Sequence, residues 1–153
     1  MGERIRAATP EEAPRLSQLA LRSKGHWGYE PDFLDACRAQ LTLSAEYISA
    51  CPVFVCEKHD QIIGFYGLGG QDHEAELLFL FVEPAAIGRG YGKLLWQHAV
   101  CTAEQLGFRQ ILIESDPLAE AFYRAMGAKP IAEVPSTLKP GRMLPLLRFL
   151  LRQ

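Results

Sequence analysis

No stretch of this sequence stays apolar for longer than the six residues from Leu77 to Val82. A membrane-crossing helix needs about 20, so no membrane partner is expected. The opening residues, Met1 to Arg6, carry charges with no apolar core behind them and do not read as a secretory signal. Surplus positive charge is lacking too: sixteen Lys and Arg face eighteen Asp and Glu, for a net charge of −2. Non-specific binding to nucleic acid runs on such a surplus, so no nucleic-acid partner is expected. Cysteines are few and scattered. Cys37, Cys51, Cys56 and Cys101 form no C-x-x-C pair and no Cys/His cluster of zinc spacing. They read either as inert thiols in a reducing, cytoplasmic setting or as a nucleophile awaiting a His from elsewhere in the fold. No repeat, linker or low-complexity tract divides the 153 residues, so residues 1–153 are expected to form one domain.

What is present is an alternation of strands and helices. Arg4 to Ala8 reads as a short strand. Thr9-Pro10-Glu11-Glu12 reads as a helix start, with an N-cap hydroxyl, an early Pro and a Glu three residues past the cap. Pro14 lacks the N–H needed further into a helix, so the start is expected to tighten or to fall nearer Glu11, with the end at Gly25. Phe33, Leu34, Cys37 and Leu41 recur at helical spacing and predict a helix over Pro31 to Leu41. Ser44 is placed to cap a short third one. Val53 to Glu57 and Ile62 to Leu68 read as a hairpin. Ala75 to Val82 reads as a central strand buried on both faces. A helix is expected over Lys93 to Leu106, with Tyr91, Leu95, Ala99, Thr102 and Leu106 inward and Gly107 as its stop. A strand over Gln110 to Glu114, a short helix over Pro117 to Met126 and strands near Pro130 to Val134 and Leu144 to Leu150 complete an α/β pattern with a mixed sheet.

The strongest local signal is a strand followed by Gly88-x-Gly90-x-Gly92 and a helix. Glycines admit positive φ and close approach of a ligand. The helix start offers unpaired N–H groups and the positive end of a dipole to an anion such as a pyrophosphate. Arg89 is placed to add a charge-assisted contact. A plain tight turn satisfies the same glycines. The dinucleotide fingerprint G-x-G-x-x-G fails, because Lys93 stands at its third glycine. The pattern G-x-x-x-x-G-K-[ST] fails because Leu94 follows Gly92-Lys93.

The loop Ile87-Gly88-Arg89-Gly90-Tyr91-Gly92 resembles motif A of the GCN5-related N-acetyltransferases (GNATs), [QR]-x-x-G-x-[GA], with Ile87 where Gln or Arg is usual. Glu76 to Pro84 resembles that family's fourth strand. Asp116-Pro117-Leu118-Ala119-Glu120-Ala121-Phe122-Tyr123-Arg124-Ala125-Met126-Gly127-Ala128 resembles motif B, N-x-x-A-x-x-x-Y-x-x-x-G-[FA], with Asp116 in place of Asn. The resemblance implies a mixed, mostly antiparallel sheet of about six or seven strands, flanked by helices on both faces. It implies acetyl-CoA as co-substrate and no metal. It puts Leu80, Phe81 and Val82 along the pantetheine arm, Ile87 to Gly92 under the pyrophosphate, and Asp116, Ala119 and Tyr123 on the donor. The acceptor implied is an amine of a small molecule or a peptide, and a homodimer is admitted.

Acetyl transfer to an amine needs a free amine, donors for the developing oxyanion and a proton for the departing thiolate. Tyr123 matches the family's acid, and the same ring would also pack on the donor. Glu76 matches by position a base used by some members, and a solvated strand-end charge is the alternative. Glu114 and Asp116 are further carboxylates at a strand end, and Asp116 also suits a helix cap. His26, Trp27 and Tyr29 lie in a Gly-flanked connection that in this family often walls the acceptor pocket. Trp and Tyr offer flat apolar surface and a cation–π seat, though a plug over the core would use the same residues. Arg142 lies in a final stretch, Pro135 to Gln153, with four cations and no acids. It reads either as a clamp for an acceptor carboxylate or as a solvated loop charge. A non-catalytic acyl-CoA-binding module on the same fold is the rival reading. A dinucleotide-dependent oxidoreductase is a more distant one.

Overall fold

The computed structural model of the chain describes residues 2–152. Seven strands form one sheet in the order β1-β2-β3-β4-β5-β7-β6. They span β1 Glu3–Ala7, β2 Val53–Lys58, β3 Gln61–Gln71, β4 Glu74–Val82, β5 Gln110–Glu114, β6 Lys129–Pro135 and β7 Met143–Leu150. Every neighbouring pair is antiparallel except β4 and β5. The helices are α1 Ala13–Gly25, α2 Pro31–Cys37, α3 Ala45–Ala50, α4 Tyr91–Gln105 and α5 Glu120–Ala125.

Local chemistry explains the helix ends. A 3-10 turn over Pro10–Glu12 precedes α1, and the Glu12 carboxylate accepts the Thr9 N–H at 2.9 Å. Pro14 therefore falls in the first α-helical turn, where a missing N–H costs nothing. Leu16, Leu19, Ala20 and Ser23 form the buried stripe of α1. The Ser44 hydroxyl accepts the Tyr47 N–H at 3.0 Å and starts α3. The helix predicted to reach Leu41 ends at Cys37 and continues as turns that still bury Leu41.

Two apolar layers sandwich the sheet. Leu16, Leu19 and Ala20 of α1 pack with Val53, Val55, Phe65 and Phe79 on one side. Leu95, Trp96, Ala99 and Ala103 of α4 pack with Tyr66, Leu68, Ala75 and Leu77 on the other. The α4 stripe is thus rotated from the predicted one, and Leu106 lies beyond the last turn, 56% exposed. Helix α4 begins at Tyr91, two residues earlier than predicted, with Gly90 as its N-cap.

Strand β4 is not buried on both faces. Glu74, Glu76 and Leu78 are exposed while Ala75, Leu77 and Phe79 are buried. The β3–β4 register steps from Gly67↔Phe79 to Leu68↔Leu77, so Leu78 is an extra, unpaired residue. Such a bulge reverses the alternation of side chains. Ala75 and Leu77 face the α4 layer, whereas Phe79 and Phe81 face the α1 layer and Leu80 and Val82 return to α4. The Tyr47 hydroxyl donates to the Leu68 carbonyl at 2.8 Å beside this bulge.

Candidate active site

The parallel pairing of β4 with β5 covers only Glu74↔Gln110, Ala75↔Ile111 and Glu76↔Leu112. Past that point β5 stays with β7, through Ile113↔Leu147 and Glu114↔Leu146, while β4 stays with β3. The strands part, and a cleft of about 600 Å³ opens between them. Leu80, Phe81 and Val82 line it along β4. No strand pairs with that edge beyond Glu76, so the N–H and C=O groups that alternate onto it remain available to a ligand.

At one end the cleft meets Ile87, Gly88, Gly90 and Gly92. Gly88 has φ +86° and Gly90 φ +90°, and a Cβ on either would meet nothing within 4 Å. The glycines are therefore required by the backbone conformation, and the space in front of them is open. The first N–H groups of the fifteen-residue α4 follow directly and have no intrahelical acceptor. Open space before a helix N-terminus is the geometry that suits an anion. Ile87 reaches it with backbone in extended conformation. Arg89 is exposed and outside the cleft lining, and the Tyr91 ring packs on the α4-side core instead. Tyr91 thus contributes only main chain at the helix start. Lys93, expected only as a helix residue, is in the lining.

Tyr123, on α5, is buried among Trp96 and Phe122, with edge-to-face ring centroids at 5.9 and 5.2 Å. It lines the cleft together with Ala119, and its hydroxyl has no hydrogen-bond partner among the described residues. Burial, and then the charge of Asp116, push its phenol well above the ordinary tyrosine value.

One wall of the cleft is a charge cluster drawn from three distant segments. Asp116, after β5, accepts from Lys24 Nζ at 2.6 Å, from the Tyr29 hydroxyl at 2.7 Å and from the Leu118 N–H at 2.8 Å. The Arg142 guanidinium donates to Tyr29 at 2.8 Å and stands 3.6 Å from Asp116. Both cations lie over the Tyr29 and Phe33 rings, Lys24 at 5.2 and 5.9 Å, Arg142 at 5.3 and 4.8 Å. Burial alone would raise the Asp116 carboxyl, but the hydrogen bonds from Lys24, Tyr29 and Leu118 outweigh it and hold the group below its usual range. Burial and the neighbouring carboxylate push the Tyr29 phenol up to about 12. Asp116 thus does cap the next turn, as its position in the sequence allowed, and also anchors this wall.

The other expected residues divide. Trp27 lines the cleft and is 45% exposed, so it is not a core plug. Tyr29 sits behind the wall and holds Asp116 and Arg142 rather than lining the space. His26 is exposed, stacks edge-on with Trp27 at 5.8 Å and is outside the lining. Arg142 is not a solvated loop charge, since its side chain is 18% exposed. Glu76 does not join Tyr123. It lines a separate hollow of about 570 Å³ with Asp72, His73, Glu74 and Arg109. Glu114 lines the cleft itself. The cysteines are all free. Cys37 lines the cleft, but burial pushes its thiol up, against Lys24 and Arg142, so it is not primed as a nucleophile. Lys24 and Phe33 escaped the sequence reading. A cation in the last turn of a helix and an apolar residue at helical spacing both have sufficient local explanations.

A family model described as "Acetyltransferase (GNAT) family" matches residues 15–128. The chain is 32% identical over 148 residues to the peptidyl-lysine N-acetyltransferase YjaB of Salmonella typhimurium, covering 94% of this chain and 96% of that protein. It is 30% identical over 125 residues to the 5-NmdU N-acetyltransferase of Pseudomonas phage PaMx11, covering 80% and 84%. Its fold superposes on PaiA N-acetyltransferase from Thermoplasma acidophilum in complex with coenzyme A, with a TM-score of 0.81 at 18% identity, over 98% of this chain and 99% of that one.

The Asp116 carboxyl is held below the unfolded value of about 3.9. Its contribution to stability is therefore full above that pH and is lost as the pH falls through the lower folded value. Asp116→Asn should cost about 1.5 to 3 kcal/mol at pH 7, the scale of hydrogen bonds to a charged group. The gap in melting temperature from the parent should close below about pH 4. An equal gap at pH 7 and pH 3 would show that the carboxylate charge is not its source.

Proposed function

The chain belongs to the GNAT family and is an acetyl-CoA-dependent N-acetyltransferase, and on that premise we propose that the β4–β5 cleft is where the acetyl group passes directly to an amine. The observation that carries this reading is the meeting of three features in one cleft: a free β4 edge, the Gly88–Gly92 cradle and the Tyr123 hydroxyl. Acetyl-CoA supplies an activated thioester. The cradle, with Lys93 beside it, suits a pyrophosphate, and the open space over Gly88 and Gly90 leaves room for one.

The chain's own groups then divide the work. The backbone N–H groups of β4 that alternate onto its free edge offer fixed donors for charge developing on the acetyl oxygen. The Tyr123 phenol, raised above its ordinary value, stays protonated across the working pH range. A phenol of raised pKa gives up its proton reluctantly, so it donates a hydrogen bond that strengthens as charge builds on the sulfur. Glu114, in the cleft lining, takes up the amine's proton directly or through water; this role moves from Glu76, which lines the other hollow. Asp116 is a poor base because its oxygens already accept from Lys24, Tyr29 and Leu118. Trp27 and Phe33 form apolar walls for the acceptor. The relatives named for peptidyl-lysine favour a lysine-like primary amine. Four free thiols suit a reducing, cytoplasmic setting.

Gly90→Val tests the cradle. It sets a β-branched residue at φ +90° and fills the open approach. Coenzyme A affinity by calorimetry should fall more than about tenfold, given a strain of about 1 to 3 kcal/mol plus the lost space. Unchanged affinity in a folded variant would remove the loop from the donor site.

Tyr123→Phe keeps the ring and removes the donor. It should lower kcat about tenfold to a thousandfold with a smaller effect on acetyl-CoA affinity. With the phenol raised, the parent's kcat should show no falling limb below about pH 10, the ordinary tyrosine value. A limb near neutral pH, missing in Tyr123→Phe, would contradict the raised phenol.

Glu114→Gln should lower kcat/KM about a hundredfold at neutral pH, the scale of general-base catalysis. If the loss appears in Glu76→Gln instead, the base is Glu76.

A further inference from the structure

We infer that the acceptor carries a carboxylate on the same molecule as its amine, and that Arg142 is the residue that holds it. The inference rests on the cleft being the acetyl-transfer site. Arg142 comes from the β6–β7 loop, and the loop closes on itself there. The Ser136 N–H donates to the Arg142 carbonyl at 2.8 Å, and the Arg142 N–H donates to the Lys139 carbonyl at 3.1 Å. The guanidinium is stacked 4.8 Å from the Phe33 ring centroid and 5.3 Å from that of Tyr29, with its side chain 18% exposed. One terminal nitrogen, Nη2, donates to Tyr29 and neighbours Asp116. Nε and Nη1 have no hydrogen-bond partner among the described residues, and the residue is part of the cleft lining.

The charges do not cancel around it. Asp116 is engaged by Lys24 at 2.6 Å, and its oxygens also accept from Tyr29 and Leu118. The nearest carboxylate is thus neutralised by a different cation, and two half-buried cations share one anion. Glu114 also lines the cleft, but no ion pair joins it to Arg142 among the described residues. Tyr29 takes one of the two Nη2 hydrogens, so the second Nη2 hydrogen and the free N–H beside it on the same edge still form a planar fork, on a guanidinium that lies over two rings. Such a fork matches a carboxylate with two parallel N–H···O bonds. The other polar groups at this end, Gln40, Ser136 and Thr137, are neutral donors and acceptors that suit a carboxylate's remaining lone pairs. Lys24, Tyr29 and Asp116 act as positioning residues for this fork.

The carboxylate belongs either to a small amino acid or to an acidic residue beside a peptide lysine, and two matched pairs of amines separate these sources. Thiol release from acetyl-CoA is followed with 5-aminopentanoate against pentylamine, and with N-acetyl-Glu-Lys-amide against N-acetyl-Gln-Lys-amide. In one pair the carboxylate member should be favoured about 30-fold to 1,000-fold in kcat/KM, the range for a buried, hydrogen-bonded charge pair. The pair that shows it names the source. Arg142→Gln should erase that preference through KM, with coenzyme A affinity near the parent's in the folded variant. Arg142→Lys, which keeps the charge and loses the fork, should restore only part of it. No preference in either pair, or a preference that survives Arg142→Gln, overturns the inference. If none of the four amines is acetylated, glutarate is titrated into the coenzyme A-saturated protein. Saturable binding that Arg142→Gln abolishes supports the fork, and no binding overturns it. Failure to saturate with coenzyme A would instead overturn the cleft as the transfer site.

Discussion

Two strands that run parallel for three residue pairs and then part company organise this molecule. Each follows its antiparallel neighbour past Glu76↔Leu112, β4 with β3 and β5 with β7. Antiparallel partners hold each strand over a longer register than the parallel contact does, so twist in the two halves of the sheet is free to separate them. The opening exposes main-chain polar groups that a sheet interior would pair internally. It also sets α4 at one end of the gap and α5 at its side. The bulge at Leu78 belongs to the same departure. It turns Leu80 and Val82 toward the α4 layer just where the strands diverge, so one strand serves two cores and one cleft.

A second constraint builds one wall of the cleft. Asp116 stands where β5 has left the sheet and the α5 segment begins. Its carboxylate gathers Lys24 from α1, Tyr29 from the α1–α2 connection and, more distantly, Arg142 from the β6–β7 loop. Half-buried ions need partners, since desolvation penalises each one left alone. The cluster meets that need unevenly and leaves a guanidinium edge toward the space. The groups that hold this wall together are therefore also ones that face the cleft. Phe33 and Tyr29 lie under both cations.

Much of the frame was legible in the residues. Glycines at 88 and 90 announce a turn with positive φ ahead of a helix, and both have it. The strands and helices fall close to their expected spans because period-two and period-3.6 patterns are local. The bulge was not legible. An unbroken apolar run from Leu77 to Val82 hides the reversal of faces, since every residue in it suits either side. For that reason β4 read as buried throughout, while its Leu78 is 46% exposed. The inward stripe of α4 was misjudged for a related reason: Leu106 continues the period, but the helix and the core both end before it.

By itself, the sequence determined a mixed α/β sheet, a glycine turn at Gly88 to Gly92 ahead of a helix and a tyrosine within a late short helix. Those features depend on neighbours within a few residues, and backbone sterics and hydrogen bonding act at that range. Only the tertiary structure decided which carboxylates and cations meet. Lys24 and Tyr29 are far in the chain from Asp116 and from Arg142, and their pairing depends on where three segments come to rest. Glu76 and Glu114 share a sheet face and a chemistry, yet they open on different hollows. That difference is set by where β4 and β5 stop pairing, which no local pattern records.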